Sequence, residues 1–401
     1  MPGILTALTG VGVGDLATAG FAGAHLGVTV LWAVVIGALF KFVLSEGVAR
    51  WQISTGTTVL HGAITHLRWP FIVFFVLYFF PWCWFVAGAL INAAGVAGSH
   101  LAEIAGFEVS KAVSGISHSL LALLIILVGK HRAFNTVMSI LAVVLFVCVM
   151  VCVFFVAPPL SELIDGLFFI SIPENLQALS WVVALIGGVG GTLTIVCYGY
   201  WIADSGREGV KGLKQCRIDL SVSYLLTALF GMAMVIIGSA VAQQGKGLNL
   251  LLDISNYFSS SVHPALGVIF LVGAWAAIFS SLLGVWQVIP QVFADCVYAL
   301  KHRDVSPEAV DQSHMYYIWL LVMALVPMLS LDISFKDIQK LYSVVGALFV
   351  PVLAIALLWL NRERFVFNTF KNSKLTNIAL TIVLLFFTYV GYGVVNQHLN
   401  A

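Results

Sequence analysis

Residues 10–15 read Gly10-Val11-Gly12-Val13-Gly14-Asp15, in the middle of an apolar run that spans about residues 4–24. Each glycine in a helix interior costs roughly 1 kcal/mol relative to alanine. Three in five positions predict a helix interrupted at its centre. A second run, about 180–203, is broken the same way by Gly187-Gly188-Val189-Gly190-Gly191-Thr192, some 177 residues further on. An Asp follows the first break and a Thr the second.

The surrounding composition says which solvent these helices meet. Of 401 residues, 61% are hydrophobic and 9% charged, against roughly 25% charged in a soluble domain. Mean hydropathy is +1.03. Nineteen Lys and Arg against eighteen Asp and Glu leave no basic surface for nucleic acid. The apolar residues form continuous runs rather than the alternation of an outer-membrane barrel. These runs fall at about 4–24, 27–48, 70–95, 116–129, 135–157, 180–203, 219–242, 264–293, 315–331, 341–360 and 376–397, the fourth being short. Eleven transmembrane helices follow, in an all-α polytopic protein whose partner is the lipid bilayer. No Lys or Arg precedes Ile4, so the first run is read as a span and not as a secretory signal. The six cysteines lack disulfide or zinc spacing and are read as thiols, with Cys216 placed in a charged loop.

Loop charge fixes an expected orientation. With the N-terminus in the cytoplasm, inner loops hold Arg50, Arg68, Lys130, Arg132, Arg207, Lys211, Lys214, Arg217, Lys301, Arg303, Arg362, Arg364, Lys371 and Lys374, and outer loops hold Lys111, Lys246, Lys336 and Lys340. Cytoplasmic loops carry the excess of Lys and Arg, so the C-terminus is expected outside, in a cell (inner) membrane.

The two glycine breaks are five spans apart. An odd number of spans inverts the second copy. Broken helices in corresponding positions of two halves point to a transporter's midplane site. The pattern is that of a LeuT-type 5+5 inverted repeat with broken first and sixth helices. Residues 1–401 form one transmembrane domain: 1–157 the first repeat, 180–361 the inverted second, 376–397 an additional helix. The alternative reading of the glycines is close helix packing.

Several residues are candidates for chemistry. Asp15 is the only acidic residue among the first 45. An intramembrane charge is a functional hypothesis by default, and the position also suits an N-cap. Gly12, Gly14 and opened backbone carbonyls, with Asp15 and Thr194 as metal ligands, would make an all-oxygen site for a hard cation. Cys197 and Tyr198 are further candidates, and Tyr200 and Trp201 suit an apolar wall. Lys41 and Glu46 are pathway or gate candidates. Their alternative is snorkelling by Lys41 and an ion pair of Glu46 with Arg50 at the cytoplasmic end. Gln287 and Gln291 flank Pro290 and either serve the pathway or satisfy carbonyls freed by the proline. His25 reads as wet surface, and the charged stretch Asp204–Asp219 as a solvated loop. No Gly-Lys-Ser/Thr nucleotide loop, no His/Cys metal-enzyme cluster and no nucleophile with a base is present, so neither an ATP-driven pump nor an enzyme is expected, and no cofactor.

These residues resemble the Nramp superfamily of divalent-metal transporters. Glu46-Gly-Val-Ala-Arg-Trp-Gln-Ile-Ser-Thr-Gly56 is similar to an Nramp second-span stretch in which Ala-Arg is followed, four residues on, by Thr-Gly. Ile186-Gly-Gly-Val-Gly-Gly-Thr192 is similar to Ile-Gly-x-x-Gly-Ala-Thr. Ser280-Ser281 with Gly284, and Pro351 with Ala354, resemble the eighth-span and tenth-span patterns more loosely. The resemblance implies eleven or twelve spans, LeuT-type topology, a cytoplasmic N-terminus and a divalent cation as transported partner. The family's first break reads Asp-Pro-Gly-Asn. Here Gly12 stands at the Asp and Asp15 at the Asn. The family's Met-Pro-His places methionine on Thr194 in one register and on Cys197 in another, so its soft ligand is absent. The third span, 70–95, contains no Asp, Glu or His, where the family has acidic proton-pathway residues, so proton coupling stays open. Divergent Nramp-related branches linked to magnesium share such absences. Two expectations follow: a carrier of divalent cations, magnesium or manganese, working by alternating access; or an amino-acid or other organic-solute symporter on the same fold.

Overall fold

In the computed structural model, residues 2–10, 12–173, 176–241, 250–301, 307–333, 338–339, 341–342, 345–346 and 348–399 are described. They are almost entirely helical. The helices are α1 (Pro2–Gly10), α2 (Val13–Leu26), α3 (Leu31–Thr55), α4 (Val59–Ile104), α5 (Lys111–Val156), α6 (Leu160–Phe168), α7 (Leu176–Gly188), α8 (Tyr198–Asp204), α9 (Gly209–Val241), α10 (Leu250–Tyr257), α11 (Pro264–Leu300), α12 (Pro307–Asp311), α13 (His314–Leu325), α14 (Phe349–Leu360) and α15 (Lys374–Leu399). Seven segments among the described residues are long and apolar enough to cross a membrane, and His314–Ser330, Phe349–Leu360 and Lys374–Tyr389 are shorter apolar helices.

Contacts resolve the longest segments into antiparallel passes. Gly3 lies on Asp219 and Gly20 on Gly238, whereas Val34 lies on Gly231 and Ser45 on Tyr224. Relative to α9, α1 and α2 therefore run one way and α3 the other. The reversal is at Gly27, whose φ of 67° caps α2. Within α4, Arg68 departs from helical geometry at φ 54°, ψ −138°, just before Pro70. It separates a short helix from the long third pass. In α5, His118 contacts Trp275 and Cys148 contacts Gly273. A straight helix would hold His118 and Cys148 about 45 Å apart, yet their partners in α11 are two residues apart. The chain must turn back between them, giving the fourth and fifth passes. The order of passes is then the one expected from the sequence, with α1/α2 and α7/α8 as the interrupted first and sixth.

Local sequence explains the ends. Thr58, Ser110 and Ser313 cap the next helix by accepting from His61, Val113 and Tyr316 N–H. Gly56, left-handed at φ 73°, closes α3. At the centre lies α11: Ala276–Val292 is buried without interruption. The outer faces of α5 expose Leu124, Val143, Val147 and Phe154, as a lipid-facing hairpin should.

Helix approach rests on small residues. A Cβ on Gly23 would overlap the Val235 carbonyl, and one on Gly238 the Gly20 carbonyl, so α2 and α9 touch backbone to backbone. Gly23→Leu or Gly238→Leu is expected to cost about 1–3 kcal/mol, read as a lower unfolding midpoint of the purified protein in detergent.

Candidate substrate site at the crossing of the two broken helices

The two breaks meet. A Cβ on Gly10 would lie 3.0 Å from the Gly190 carbonyl and 3.2 Å from Gly191 N, and one on Gly191 would lie 3.2 Å from Gly10 Cα. Gly190 and Gly191 adopt φ of 81° and 84°, a left-handed conformation that disfavours any other residue. The sixth span thus leaves its helix at Gly188, passes through a short 3-10 turn at Leu193–Ile195 and resumes at Tyr198.

Breaking a helix frees backbone groups that lipid cannot satisfy. Here two charged side chains serve them. Gly190 N–H donates to Asp15 Oδ1 at 3.0 Å. Lys41 Nζ donates to Gly187 O at 3.0 Å and to Gly191 O at 2.6 Å. Asp15 sits in the first turn of α2, where the helix dipole favours an anion, and Lys41 meets the C-terminal end of α7, where it favours a cation. The two flank Gly190, Asp15 on its N–H and Lys41 on the carbonyls of Gly187 and Gly191. Both are buried, and among the described residues Asp15 Oδ2 has no hydrogen-bond partner.

Two readings of the sequence are corrected. Asp15 is not the N-cap of α2; Gly12 is, and the carboxylate crosses to the other broken helix instead. Lys41 does not snorkel. It is the eleventh residue of α3, about 15 Å from the helix start, beyond the reach of its side chain to either surface. It is fully buried, and the Phe387 ring of α15 lies 5.6 Å from its ammonium.

The remaining candidates divide by place. Gly12 packs on Ser281 of α11, whose hydroxyl donates to the Leu8 and Thr9 carbonyls beside the first break. Thr194 is buried with its hydroxyl against Gly191. Gly14 is half-buried and faces Tyr342 and Gln339 of the tenth pass. Gly12, Gly14, Asp15, Thr194 and Lys41 therefore surround one crossing. Cys197 is fully buried where α8 begins.

Tyr198, Glu46 and Gln287 lie elsewhere. Tyr198 OH donates to Cys216 O at 3.4 Å and meets Arg207 and Asp219, so it is not brought to the crossing. Glu46 pairs with Arg50 at 2.6 Å, as the ion-pair reading expects, and also with Arg217 at 2.9 Å. Gln287 accepts from Trp201 Nε1 at 3.2 Å, and Gln291 donates to Asp311. These amides bind neighbouring elements, not the carbonyls that Pro290 frees. His25 is exposed, as read, and stacks on Trp181.

The stretch 204–219 is more than a solvated loop. Asp219 Oδ2 accepts from Gly3 N–H at 2.7 Å and from Arg207 Nη1 at 2.8 Å, pinning the start of α1 to α9. Cys216, read as a loop residue, is fully buried within α9. Asp295 of α11 accepts from Thr58 at 2.5 Å and from Tyr200 at 2.7 Å, pinning α8. Sequence reasoning also passed over Trp82, which donates to Thr192 at 3.2 Å, and the Ser45–Tyr224 bond of 2.7 Å. Their signal was faint: a tryptophan or a serine in an apolar run is ordinary. Among the described residues no three His, Cys, Asp or Glu side chains converge as a metal cluster.

Loss of the shared acceptor should loosen α1, since a hydrogen bond to a charged group contributes about 1.5–3 kcal/mol. In a chain keeping Cys216 as its one cysteine, Asp219→Asn is expected to raise maleimide labelling of Cys216 by about tenfold or more. Unchanged labelling would show that α1 is held without it.

Comparison with known proteins places this geometry. The divalent metal cation transporter MntH of Staphylococcus aureus is 22% identical over 299 residues, covering 71% of this chain. That match spans 63% of the relative's own length. A manganese transporter of Eremococcus coleocola, solved with an aromatic bis-isothiourea substituted compound, superposes with a TM-score of 0.77 at 16% identity, covering 97% of this chain and 84% of the other. MhsT in complex with L-phenylalanine superposes with a TM-score of 0.62 at 17% identity, covering 96% and 98%. At identities this low the superpositions establish the fold alone, and it is LeuT-type. The sequence model of the family described as natural resistance-associated macrophage protein-like matches residues 3–396, and with nearly the whole chain so matched the protein belongs to the Nramp family.

Proposed function

We propose that this chain is a secondary transporter or facilitator that moves divalent metal cations, magnesium or manganese, across the membrane by alternating access. One observation carries the reading: the Asp15 carboxylate is buried at the crossing of the two breaks, and among the described residues its Oδ2 has no hydrogen-bond partner. An acceptor oxygen left bare in a low-dielectric interior costs free energy, and a cation arriving there offsets that cost. Thr194 and the backbone oxygens of the breaks add hard donors. No thioether is among these candidates, and all-oxygen donors suit magnesium and manganese better than softer metals. The named activities of the MntH and manganese-transporter relatives support metal as cargo.

The halves 1–157 and 180–361 act as the inverted repeats, with the N-terminus cytoplasmic and the C-terminus outside. On this orientation the Asp219 and Asp295 anchors close the cytoplasmic ends of α1 and α8. Opening to that side then requires their release.

A second reading is favoured by Lys41. Its amine on the Gly187 and Gly191 carbonyls and the Asp15 carboxyl on Gly190 N–H give the site one basic and one acidic group, which complement a zwitterion better than a bare divalent cation. An amino-acid or other small organic symporter would use the two charges as counterparts of the solute's own.

Uptake into proteoliposomes holding a metal-sensitive dye decides between them. Magnesium, manganese and calcium are compared with and without a proton gradient. Metal entry is expected, reduced at least about tenfold by Asp15→Asn, a change of about 1.4 kcal/mol. Normal entry in that variant would remove Asp15 from the mechanism. No entry of any metal, with heat stabilisation of the folded protein by an amino acid, would establish the organic-solute reading.

A further inference from the structure

The first cation in this site is already part of the chain. Lys41 Nζ lies between Gly187 O and Gly191 O, at 3.0 and 2.6 Å, on the oxygens that the sixth-span break releases. Backbone carbonyls at a helix break are the ligands a transporter of this fold class offers a small cation. The other sides of the ammonium are closed by protein. The Phe387 ring stands 5.6 Å away, and a Cβ on Gly187 would meet that same ring at 3.2 Å. The lysine stem runs against Gly190. Asp15 faces it across the crossing, its Oδ1 accepting from Gly190 N–H between the two carbonyls that Lys41 holds.

We infer that Lys41 is a tethered cation: its ammonium fills the carbonyl cradle of the sixth span, balances Asp15, and competes with any cation cargo for that carboxylate. The inference rests on the proposed metal function only in its choice of cargo. Charge bookkeeping gives the consequence. Asp15 and Lys41 together are neutral, so an incoming divalent ion meets an ammonium held at the oxygens it would use. Binding requires the ammonium to withdraw. The fifteenth helix, outside the two five-helix repeats, gains a role: through Phe387 it holds the ammonium in place.

The test measures manganese binding by calorimetry on the purified full chain. Lys41→Met keeps the unbranched stem, one atom shorter, and removes the charge. It is expected to bind manganese at least about tenfold more tightly than the parent, about 1.4 kcal/mol. The gain should vanish in Lys41→Met/Asp15→Asn, and Lys41→Arg should bind like the parent. Phe387→Leu guards against a Lys41→Met chain that does not fold. It keeps the amine and removes the ring, whose attraction for a cation is worth about a two- to fivefold change in affinity, so it should tighten manganese binding by that factor. Four results are decisive. Tighter binding in Lys41→Met or in Phe387→Leu supports the inference. Equal affinity in the parent and both folded variants overturns it and leaves metal transport standing. If neither the parent nor Lys41→Met binds manganese, but Lys41→Met gains heat stability from sodium or potassium that the parent does not, the tethered cation stands and the metal reading falls. No response of the folded variants to any of these cations overturns both.

Discussion

The structure depends on one constraint: two helices are broken inside a membrane, and the backbone groups those breaks release must be satisfied by the protein itself. The solution is a pair of opposite charges shared crosswise. Asp15, on the first broken helix, serves an N–H of the second. Lys41, on the intact helix between them in sequence, serves two carbonyls of the second. Each charge sits at the helix end whose dipole favours it. Neither is a satisfactory burial alone, since an unpaired ion in a low-dielectric interior is costly. Together they give the crossing a fixed geometry without requiring regular helix there.

That arrangement explains why glycine dominates the sequence at both breaks. At Gly190 and Gly191 the backbone turns left-handed, and at Gly10 it passes within contact distance of the other chain segment. A side chain at these positions would push the helices apart and strand the polar groups. The signal is strong in the sequence because lipid offers few other reasons for such clusters. The count of spans was legible for the same reason: a bilayer fixes the length of an apolar run, and loop charge tests the count.

The site was legible only in part. Asp15 stands out because a carboxylate in an apolar run has few explanations, yet its role as a bridge, not a cap, depends on which backbone lies opposite. Lys41 shows the limit more clearly. Its depth, eleven residues into a twenty-five-residue helix, argues against snorkelling from sequence alone. Its partners, however, are carbonyls about 150 residues away, set by how the second span passes the sixth. Tyr198 misled because proximity in sequence to the break suggested proximity in space. It lies in α8 and is turned toward Arg207 and Asp219 of the α8–α9 corner.

The anchors beyond the crossing give the charge pair its functional meaning. On the side of α1 and α8, each half-helix is fastened to its neighbours by hydrogen bonds that include a buried or nearly buried carboxylate, Asp219 for one and Asp295 for the other. On the side of α2, the attachment to α9 is different in kind, because glycine-to-backbone contacts at Gly23 and Gly238 are tight and cannot lengthen without being lost. The two ends of the first span are thus held differently: α1 by hydrogen bonds to Asp219 and Ser281 beside a close approach at Gly3, α2 by interlocked backbone at Gly23. A break between them lets one end move while the other stays. On the proposed function, cargo that alters the charge balance at Asp15 and Lys41 would act between these two differently fastened halves. On that proposed reading the hydrogen-bonded side is the one that would release, since a hydrogen bond can be exchanged for one to water and an interlocked backbone contact cannot.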